Sequence, residues 1–367
     1  MVIPSHPADI TPAWLSSVLN IDVRDVAVAP IGTGQTGATY RVSAAYATEQ
    51  PELPGTFAIK LPAQDEAVRE RVTIGYRSEH AFYTGVADRV KIPTPQCFHC
   101  EIANDGADFV LLLADMAPDV QGDQIGGCTP EEARLAVAAL AGLHGPTWCD
   151  PAWADIPGVA MPKHDEAAAN GMGEVARMAA DMTLDKLGPN MSAEDHDTLC
   201  AAMALVTPWL LVEPNRFALM HGDYRLDNML FDPDRSHITV VDWQTLGVGL
   251  PARDLAYFTA TSLLPETRSA IEEELVDLYH RELLGYGVTG YDLASCWRDY
   301  RLGTLQAPFL TALGCAFATS TERGDEMMLV MVRRLSGDPR TEGTGPAGGD
   351  HRMSARFPEL GCDLLAG

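Results

Sequence analysis

Lysine is almost missing from this chain: of 26 basic residues among 367, only Lys60, Lys91, Lys163 and Lys186 are lysines and the other 22 are arginines. Basic charge as a whole is scarce, because 51 Asp and Glu residues leave a formal net charge of −25. That balance excludes a polyanion as the main partner, since nucleic acid and anionic membrane surfaces are bound through a basic face. It is compatible with a cationic ligand. Long apolar runs are missing too. No stretch reaches the ~18 consecutive apolar residues of a membrane span, and residues 1–9 contain no basic segment leading into an apolar one, so the expectation is a cytoplasmic protein without membrane association. Zinc-ribbon spacing is absent among the eight cysteines. The single C-x-x-C, Cys97 and Cys100, falls in an apolar, strand-like run and reads as two reduced thiols. Nothing in the sequence sets an oligomeric state.

What is present is enough apolar residue, 46%, to bury a core, which rules out a fully disordered chain. At ~100 to 200 residues per domain the length suggests two or three structural units, and two lobes are the economical reading. Near the start, residues 9–19 read as a helix with Thr11 as cap and Pro12 in the first turn. From residue 26 to about 116 the period changes to short β-branched and aromatic runs separated by turn residues. Asn104-Asp105-Gly106 marks a hairpin between two of these runs, because its residues tolerate positive φ. One helix, residues 66–87, interrupts the sheet and would present Ile74, Ala81, Phe82 and Val86 on one face. Beyond Pro118 the pattern becomes helical. Thr129-Pro130-Glu131-Glu132 forms a capping box for a helix expected to end at Gly145. Further helices are predicted over 192–211, 266–284 and 292–317, with a β-like island over 218–243. The resulting organisation is a sheet-rich lobe (1–114), a hinge (115–118), a helical lobe (119–338) and a loosely ordered tail (339–367).

Three motifs carry chemistry. Gly32-Thr33-Gly34-Gln35-Thr36-Gly37 is a G-x-G-x-x-G. A dinucleotide-binding version must open a helix, whereas Ala38 to Val42 alternates like a strand, so a strand-loop-strand flap over nucleotide phosphates fits better. A plain hairpin turn is the competing reading. Phe57-Ala58-Ile59-Lys60-Leu61 is an apolar strand with a lysine in its middle. Its ammonium either faces solvent by alternation or contacts phosphates and needs a carboxylate to hold it. Glu79, nineteen residues on, is the candidate for that carboxylate, with Glu70 a weaker one. The third motif is His221-Gly222-Asp223-Tyr224-Arg225-Leu226-Asp227-Asn228, followed by Ile238 to Asp242 and Trp243-Gln244. Phosphoryl transfer to a hydroxyl needs a carboxylate to position the nucleophile, and oxygen ligands for Mg²⁺. Asp223 and Asn228 are five apart, matching D-x-x-x-x-N, and Asp242 ends an apolar strand fourteen residues later.

On these residues the chain resembles the aminoglycoside phosphotransferase and choline kinase superfamily, small-molecule kinases with a protein-kinase-like fold. H-G-D-x-x-x-x-N followed by a strand ending in D-W is its signature. Asp242-Trp243-Gln244, the run from Pro251 to Phe258, and Leu111 to Met116 look most like the ecdysteroid-kinase-like (CHK kinase-like) branch. The resemblance implies an α+β, two-lobed fold: a small antiparallel-sheet N-lobe with one helix, and a larger, mainly helical C-lobe. It implies Asp223 as catalytic base, Asn228 and Asp242 as Mg²⁺ ligands, Lys60 on the ATP phosphates with Glu79 as its ion-pair partner, and Gly32, Gly34 and Gly37 shaping the flap. Backbone groups of Ala114, Asp115 and Met116 would meet adenine. Asp254 would brace the catalytic loop, Asp227 would be solvated or a loop acceptor, and His221 a loop hydrogen-bonding residue. His144 would meet the carbonyls ending its helix. Residues 150–191, with their Ala, Met and acids, would contribute to the acceptor side. The implied activity is ATP- and Mg²⁺-dependent phosphorylation of a small-molecule hydroxyl, on a steroid-like or other lipophilic alcohol or on an aminoglycoside- or choline-type acceptor. No A-P-E segment follows Asp242, which argues against protein substrates. The competing functions are a nucleotide-binding module that has lost catalysis and a nicotinamide-dependent oxidoreductase.

Overall fold

The computed structural model describes residues 2–31 and 38–336, and its contacts group the chain into two units. The first comprises residues 1–120, 156–160 and 239–246; the second holds the remainder.

The first unit begins with α1 (Pro12–Leu19), where the Thr11 hydroxyl accepts the Trp14 N–H. The helix is shorter than the expected 9–19 because residues 7–9 close a separate 3₁₀ turn. Five strands follow, β1 (Val23–Pro30), β2 (Ala38–Tyr46), β3 (Thr56–Leu61), β4 (Cys97–Ala103) and β5 (Asp108–Ala114), with α2 (Glu66–Gly85) between β3 and β4. They form one antiparallel sheet in the order β1-β2-β3-β5-β4. Alternation along β3 decides the layers. Phe57, Ile59 and Leu61 are buried with Trp14 and Leu15 of α1 in one core, so Lys60 emerges on the opposite face. The β4–β5 hairpin turns through Asn104, Asp105 and Gly106, at φ 49°, 55° and 98°. Only glycine adopts that last angle without strain.

Phe82 and Val86 are buried as expected, but the inward face of α2 turns away from Ile74. Ile74 is 46% exposed, and the inward positions are Tyr76, Ser78, Glu79 and Phe82. The aromatic partners account for this face: Tyr76 stacks on Phe109 with centroids 4.9 Å apart, and Phe82 stacks on Trp243 at 3.5 Å.

The second unit is mainly helical. It contains α3 (Pro130–Thr147), α4 (Glu166–Leu187), α5 (Ala193–Ala204), α6 (Val206–Leu210), α7 (Ala252–Ser262), α8 (Pro265–Gly285), α9 (Leu293–Gly303), α10 (Gln306–Phe317) and α11 (Glu322–Ser336). The Thr129–Glu132 capping box starts α3, which runs two residues past Gly145. The helices expected over 192–211 and 292–317 are each broken, after Ala204 and after Gly303. Both breaks have one cause. Pro208 and Pro308 lack the N–H that would bond the carbonyls of residues 204 and 304, four positions back. Ala169, Ala176, Ala179 and Ala180 of α4 present a flat face to a core that includes Trp209 and Phe309, and the Trp209 indole N–H donates to the Leu302 carbonyl at 2.7 Å. Met178 and Met182 of α4 are 48% and 40% exposed, so these two methionines do not fill the core. A pair of short antiparallel strands, Ala218–Met220 and Gly247–Gly249, leads into the loop at 221–228. Among the described residues no helix is long and apolar enough to cross a membrane.

Phe82 and Trp243 join α2 to residues 239–246, so Phe82→Ala removes a buried ring from that contact. The expected cost is about 3 to 5 kcal/mol, seen as a lower denaturant midpoint; a midpoint unchanged from wild type would show that the stack contributes nothing.

Candidate active site

Lys60 projects from β3 to the face covered by α2. Its Nζ lies 2.8 Å from Glu79 Oε2 and 3.0 Å from Asp242 Oδ1. The solvent-facing alternative for Lys60 is therefore wrong, since its side chain is only 14% exposed. Burial works against the ammonium, but the charges and hydrogen bonds of Asp242 and Glu79 outweigh it and hold the lysine pKa above its ordinary value. Glu79 is 2% exposed. A carboxylate there is tolerable only because a cation meets it. Glu70 has no part in this cluster.

The tripeptide after the apolar strand explains itself residue by residue. Asp242 takes the left-handed conformation, φ 67° and ψ 68°, which turns the chain as Asp can do at modest cost. Trp243 inserts against Phe82, and its carbonyl accepts the Ser78 hydroxyl at 3.1 Å. Gln244 reaches Glu79, with Nε2 3.5 Å from Oε2, and lies against Gly75, where a Cβ would come 3.1 Å from its own Cβ.

At the segment expected to meet adenine, the Ala114 N–H is already bonded to the Gln96 carbonyl at 2.8 Å, so it cannot also bind a base. The Met116 carbonyl accepts the Asp119 N–H. The Asp115 side chain is held by Arg41, with Nε 2.6 Å from Oδ2 and a second bond of 3.1 Å to Oδ1.

In the second unit, Asp223 and Asn228 sit on one loop between the strands Ala218–Met220 and Met229–Phe231. Gly222 has φ 84°, which explains why glycine stands at this position. Asp254, at the start of α7 and fully buried, accepts the His221 N–H at 2.6 Å and the Gly222 N–H at 3.1 Å. It braces the loop through the backbone. His144 does not cap its own helix, as the sequence suggested. Its ring is buried, with Nδ1 2.7 Å from the Tyr279 hydroxyl and Nε2 3.4 Å from Asp254 Oδ2. That arrangement assigns Nε2 as donor and Nδ1 as acceptor.

Asp223 is held on several sides. Arg225 Nε lies 2.9 Å from both carboxylate oxygens, the Tyr257 hydroxyl donates to Oδ1 at 2.7 Å, and Asn228 Nδ2 donates to Oδ2 at 3.0 Å. Asp227 is not solvated, as it is 7% exposed. Burial would raise its pKa, but hydrogen bonds from Arg323 and the charges of Arg225 and Arg323 hold the carboxyl below the usual carboxylate range. The sequence reading passed over Arg225, Tyr257 and Arg323. Two of them stand in motifs already quoted, and an arginine two residues after a candidate base was the available signal.

His221 Nδ1 accepts the Asp223 N–H at 3.3 Å, a local loop bond. Gly32, Gly34 and Gly37 lie outside the described residues. The strand β2 that follows them, in place of a helix, disfavours the dinucleotide-binding alternative. Cys97 and Cys100 are free thiols in β4. Burial pushes Cys97 up to about 11 and Cys100 upward as well, which suits neither metal nor redox chemistry. No group of three or more His, Cys, Asp or Glu side chains suited to a metal ion occurs among the described residues.

An antiparallel sheet whose third strand carries a lysine between two carboxylates, and a helical unit carrying an H-G-D-x-x-x-x-N loop, are the parts of a protein-kinase-like fold. The chain belongs to the phosphotransferase enzyme family, whose sequence model matches residues 28–284. Two solved structures share the fold. An aminoglycoside phosphotransferase assigned in Ralstonia eutropha JMP134 is 15% identical with a TM-score of 0.53, over 88% of this chain and 96% of that one. A microcompartment-associated aminopropanol kinase is 19% identical with a TM-score of 0.53, over 89% and 96%. Among curated relatives, human acyl-CoA dehydrogenase family member 11 is 34% identical over 98 residues, 22% of this chain and 13% of that protein. The rat protein of the same name is 26% identical over 213 residues, 52% of this chain and 25% of that protein. The chain thus spans a quarter or less of the length of these two relatives.

Lys60→Met leaves Glu79 buried beside Asp242 without their shared cation. The variant should lose about 3 kcal/mol in chemical denaturation, and adding Glu79→Gln should recover part of that loss. A double variant no more stable than Lys60→Met would show that the ammonium does not neutralise Glu79.

Proposed function

We propose that this chain transfers the γ-phosphoryl group of ATP to a hydroxyl of a small molecule. The observation that carries the reading is Lys60 held as a cation between Glu79 and Asp242, with an acidic loop residue, Asp223, fixed by its own set of donors. In this reading the ammonium neutralises charge on the ATP phosphates, and the Asp115 carbonyl and Met116 N–H meet the adenine edge. Asp223 aligns the acceptor hydroxyl. The hydroxyl oxygen bonds to the γ-phosphorus as the bond to the β,γ-bridging oxygen breaks. The hydroxyl proton passes to the Asp223 carboxylate, and ADP leaves.

Asn228 and Asp242 each offer the kind of oxygen that Mg²⁺, a hard cation, takes. Asn228 commits its amide nitrogen to the Asp223 carbonyl at 2.8 Å and carboxylate at 3.0 Å, which orients the amide and leaves its oxygen as the ligating atom. Asp242 supplies the carboxylate. When bound, Mg²⁺ would offset the negative charge of the phosphates, with the Asn228 amide oxygen and the Asp242 carboxylate as the groups that would hold it.

The acceptor class is open between a lipophilic alcohol and an aminoglycoside- or choline-type cation. The D-W-Q ending and the run from Pro251 to Phe258 favour the ecdysteroid-kinase-like branch and so the first. The exposed Met178 and Met182 on α4 are apolar surface in the segment assigned to the acceptor side. Steroid-like and hydroxyacyl compounds are the lipophilic alcohols this branch resemblance admits.

The test is Mg²⁺- and ATP-dependent ADP release against a panel of aminoglycosides, choline-like amines, sterols and hydroxy acids, with nucleotide binding followed by calorimetry. Acceptor-dependent release should appear with one class and fall by roughly 100-fold or more in Asp223→Asn. Full activity in Asp223→Asn would remove Asp223 from the chemistry. ATP binding with silence across the panel would favour a nucleotide-binding module without catalysis, and absence of ATP binding would overturn the proposal.

A further inference from the structure

A loop carboxylate that must align a hydroxyl has several staggered rotamers open to it, and misplacement by about 1 Å can cost 10²-fold in rate. In this protein Asp223 has no such freedom. Arg225 Nε straddles its two oxygens, and the Tyr257 hydroxyl and Asn228 amide take one each. Arg225 is itself fixed at its other end, with NH1 3.0 Å from Asp227 Oδ2 and 3.1 Å from Met327 Sδ. Asp227 is gripped in turn by Arg323 of α11, at 2.8 and 2.9 Å. The result is a row of alternating charge, Arg323, Asp227, Arg225, Asp223, that begins on α11.

Resting on the kinase reading above, we propose that Arg225 and Tyr257 are positioning residues for phosphoryl transfer and that α11, through Arg323 and Asp227, is what holds Arg225 in place. Two observations separate this from ordinary structural bonding. First, α11 does not need Arg323 to stay docked. Met331, Val332 and Leu335 are buried, and Arg334 donates to the Gln124 carbonyl at 2.8 Å and the Ile125 carbonyl at 2.7 Å. Arg323 is 46% exposed, where an ion pair adds little to stability. Second, Tyr257 is buried and would pack as well as phenylalanine, yet its hydroxyl is aimed at Asp223. It lies three residues after Asp254 on α7, hence on the same helical face. One helix therefore fixes the loop twice, by its backbone through Asp254 and by its side chain through Tyr257.

The variants are Tyr257→Phe, Arg225→Lys, Arg323→Met, Asp227→Asn and the Arg323→Met/Asp227→Asn double. Turnover is measured with Mg²⁺-ATP and the panel acceptor giving the highest rate. Tyr257→Phe and Arg225→Lys should lower kcat by roughly tenfold, and Arg323→Met by roughly fivefold, with KM for ATP within about twofold. Melting temperatures of Tyr257→Phe and Arg323→Met should stay within about 2 °C of wild type. Arg323→Met should add nothing in the Asp227→Asn background. Crystal structures of Tyr257→Phe and Arg225→Lys should show the Asp223 carboxylate displaced or spread over two rotamers. Wild-type kcat in Tyr257→Phe and Arg323→Met, or a loss carried by KM alone, would overturn the proposal. So would a wild-type carboxylate position in both crystal structures. The structural arm needs no acceptor, so failure of the kinase reading, seen as a fully active Asp223→Asn, is distinguishable from failure of the strut.

Discussion

A carboxylate removed from water must be met by a cation or by several hydrogen-bond donors, or it takes up a proton. In a chain with 51 acidic and 26 basic side chains, that requirement cannot be met everywhere. Among the places where it is met are the segments that hold the candidate site residues. Glu79 and Asp242 share Lys60. Asp223 and Asp227 share Arg225, and Asp227 adds Arg323. Asp254 accepts two backbone N–H groups and lies against an imidazole nitrogen. Lys60 and Arg225 each tie two carboxylates together, so neutralising the charge also fixes the side chains relative to one another.

The same requirement accounts for local choices that look arbitrary in the chain. Residue 222 must be glycine-like because Asp254 draws two successive N–H groups toward itself, and the backbone reaches that geometry at φ 84°. After Asp242, tryptophan fills the space against Phe82, and its carbonyl accepts the Ser78 hydroxyl. Gln244 then reaches the buried Glu79, whose oxygen needs a second donor beside the lysine. The three residues thus serve charge, packing and hydrogen bonding in turn.

The sequence announced these groups unevenly. Lys60, Glu79, Asp223, Asn228 and Asp242 were legible because each belongs to a spacing pattern that can be counted along one strand, one helix or one loop. The hairpin at 104–106 and the capping box at 129–132 were legible for the same reason, since their physics is local. The face of α2 was misread at Ile74 because hydrophobicity alone cannot indicate that Ser78 and Glu79 point inward toward polar partners. The breaks at Pro208 and Pro308 do not show in hydrophobic periodicity, because a missing donor leaves the apolar pattern unchanged. Arg323 was beyond reach. It meets Asp227 across 96 residues, and no pattern within one helix marks which of 22 arginines will do so.

The shortage of lysine then acquires a structural sense. Arginine presents a planar fork that can hold two carboxylates at a fixed separation, whereas lysine is a point charge on a flexible stem. Arg225 uses the fork, Nε toward Asp223 and NH1 toward Asp227, and no single ammonium has that reach and direction. Lys60 uses the opposite property. Its one nitrogen meets Glu79 and Asp242 together. A lysine at 225 would lose the fixed separation at which the guanidinium holds Asp223 and Asp227. The residue type at each position therefore follows from whether the carboxylates must be held apart or met by a single nitrogen.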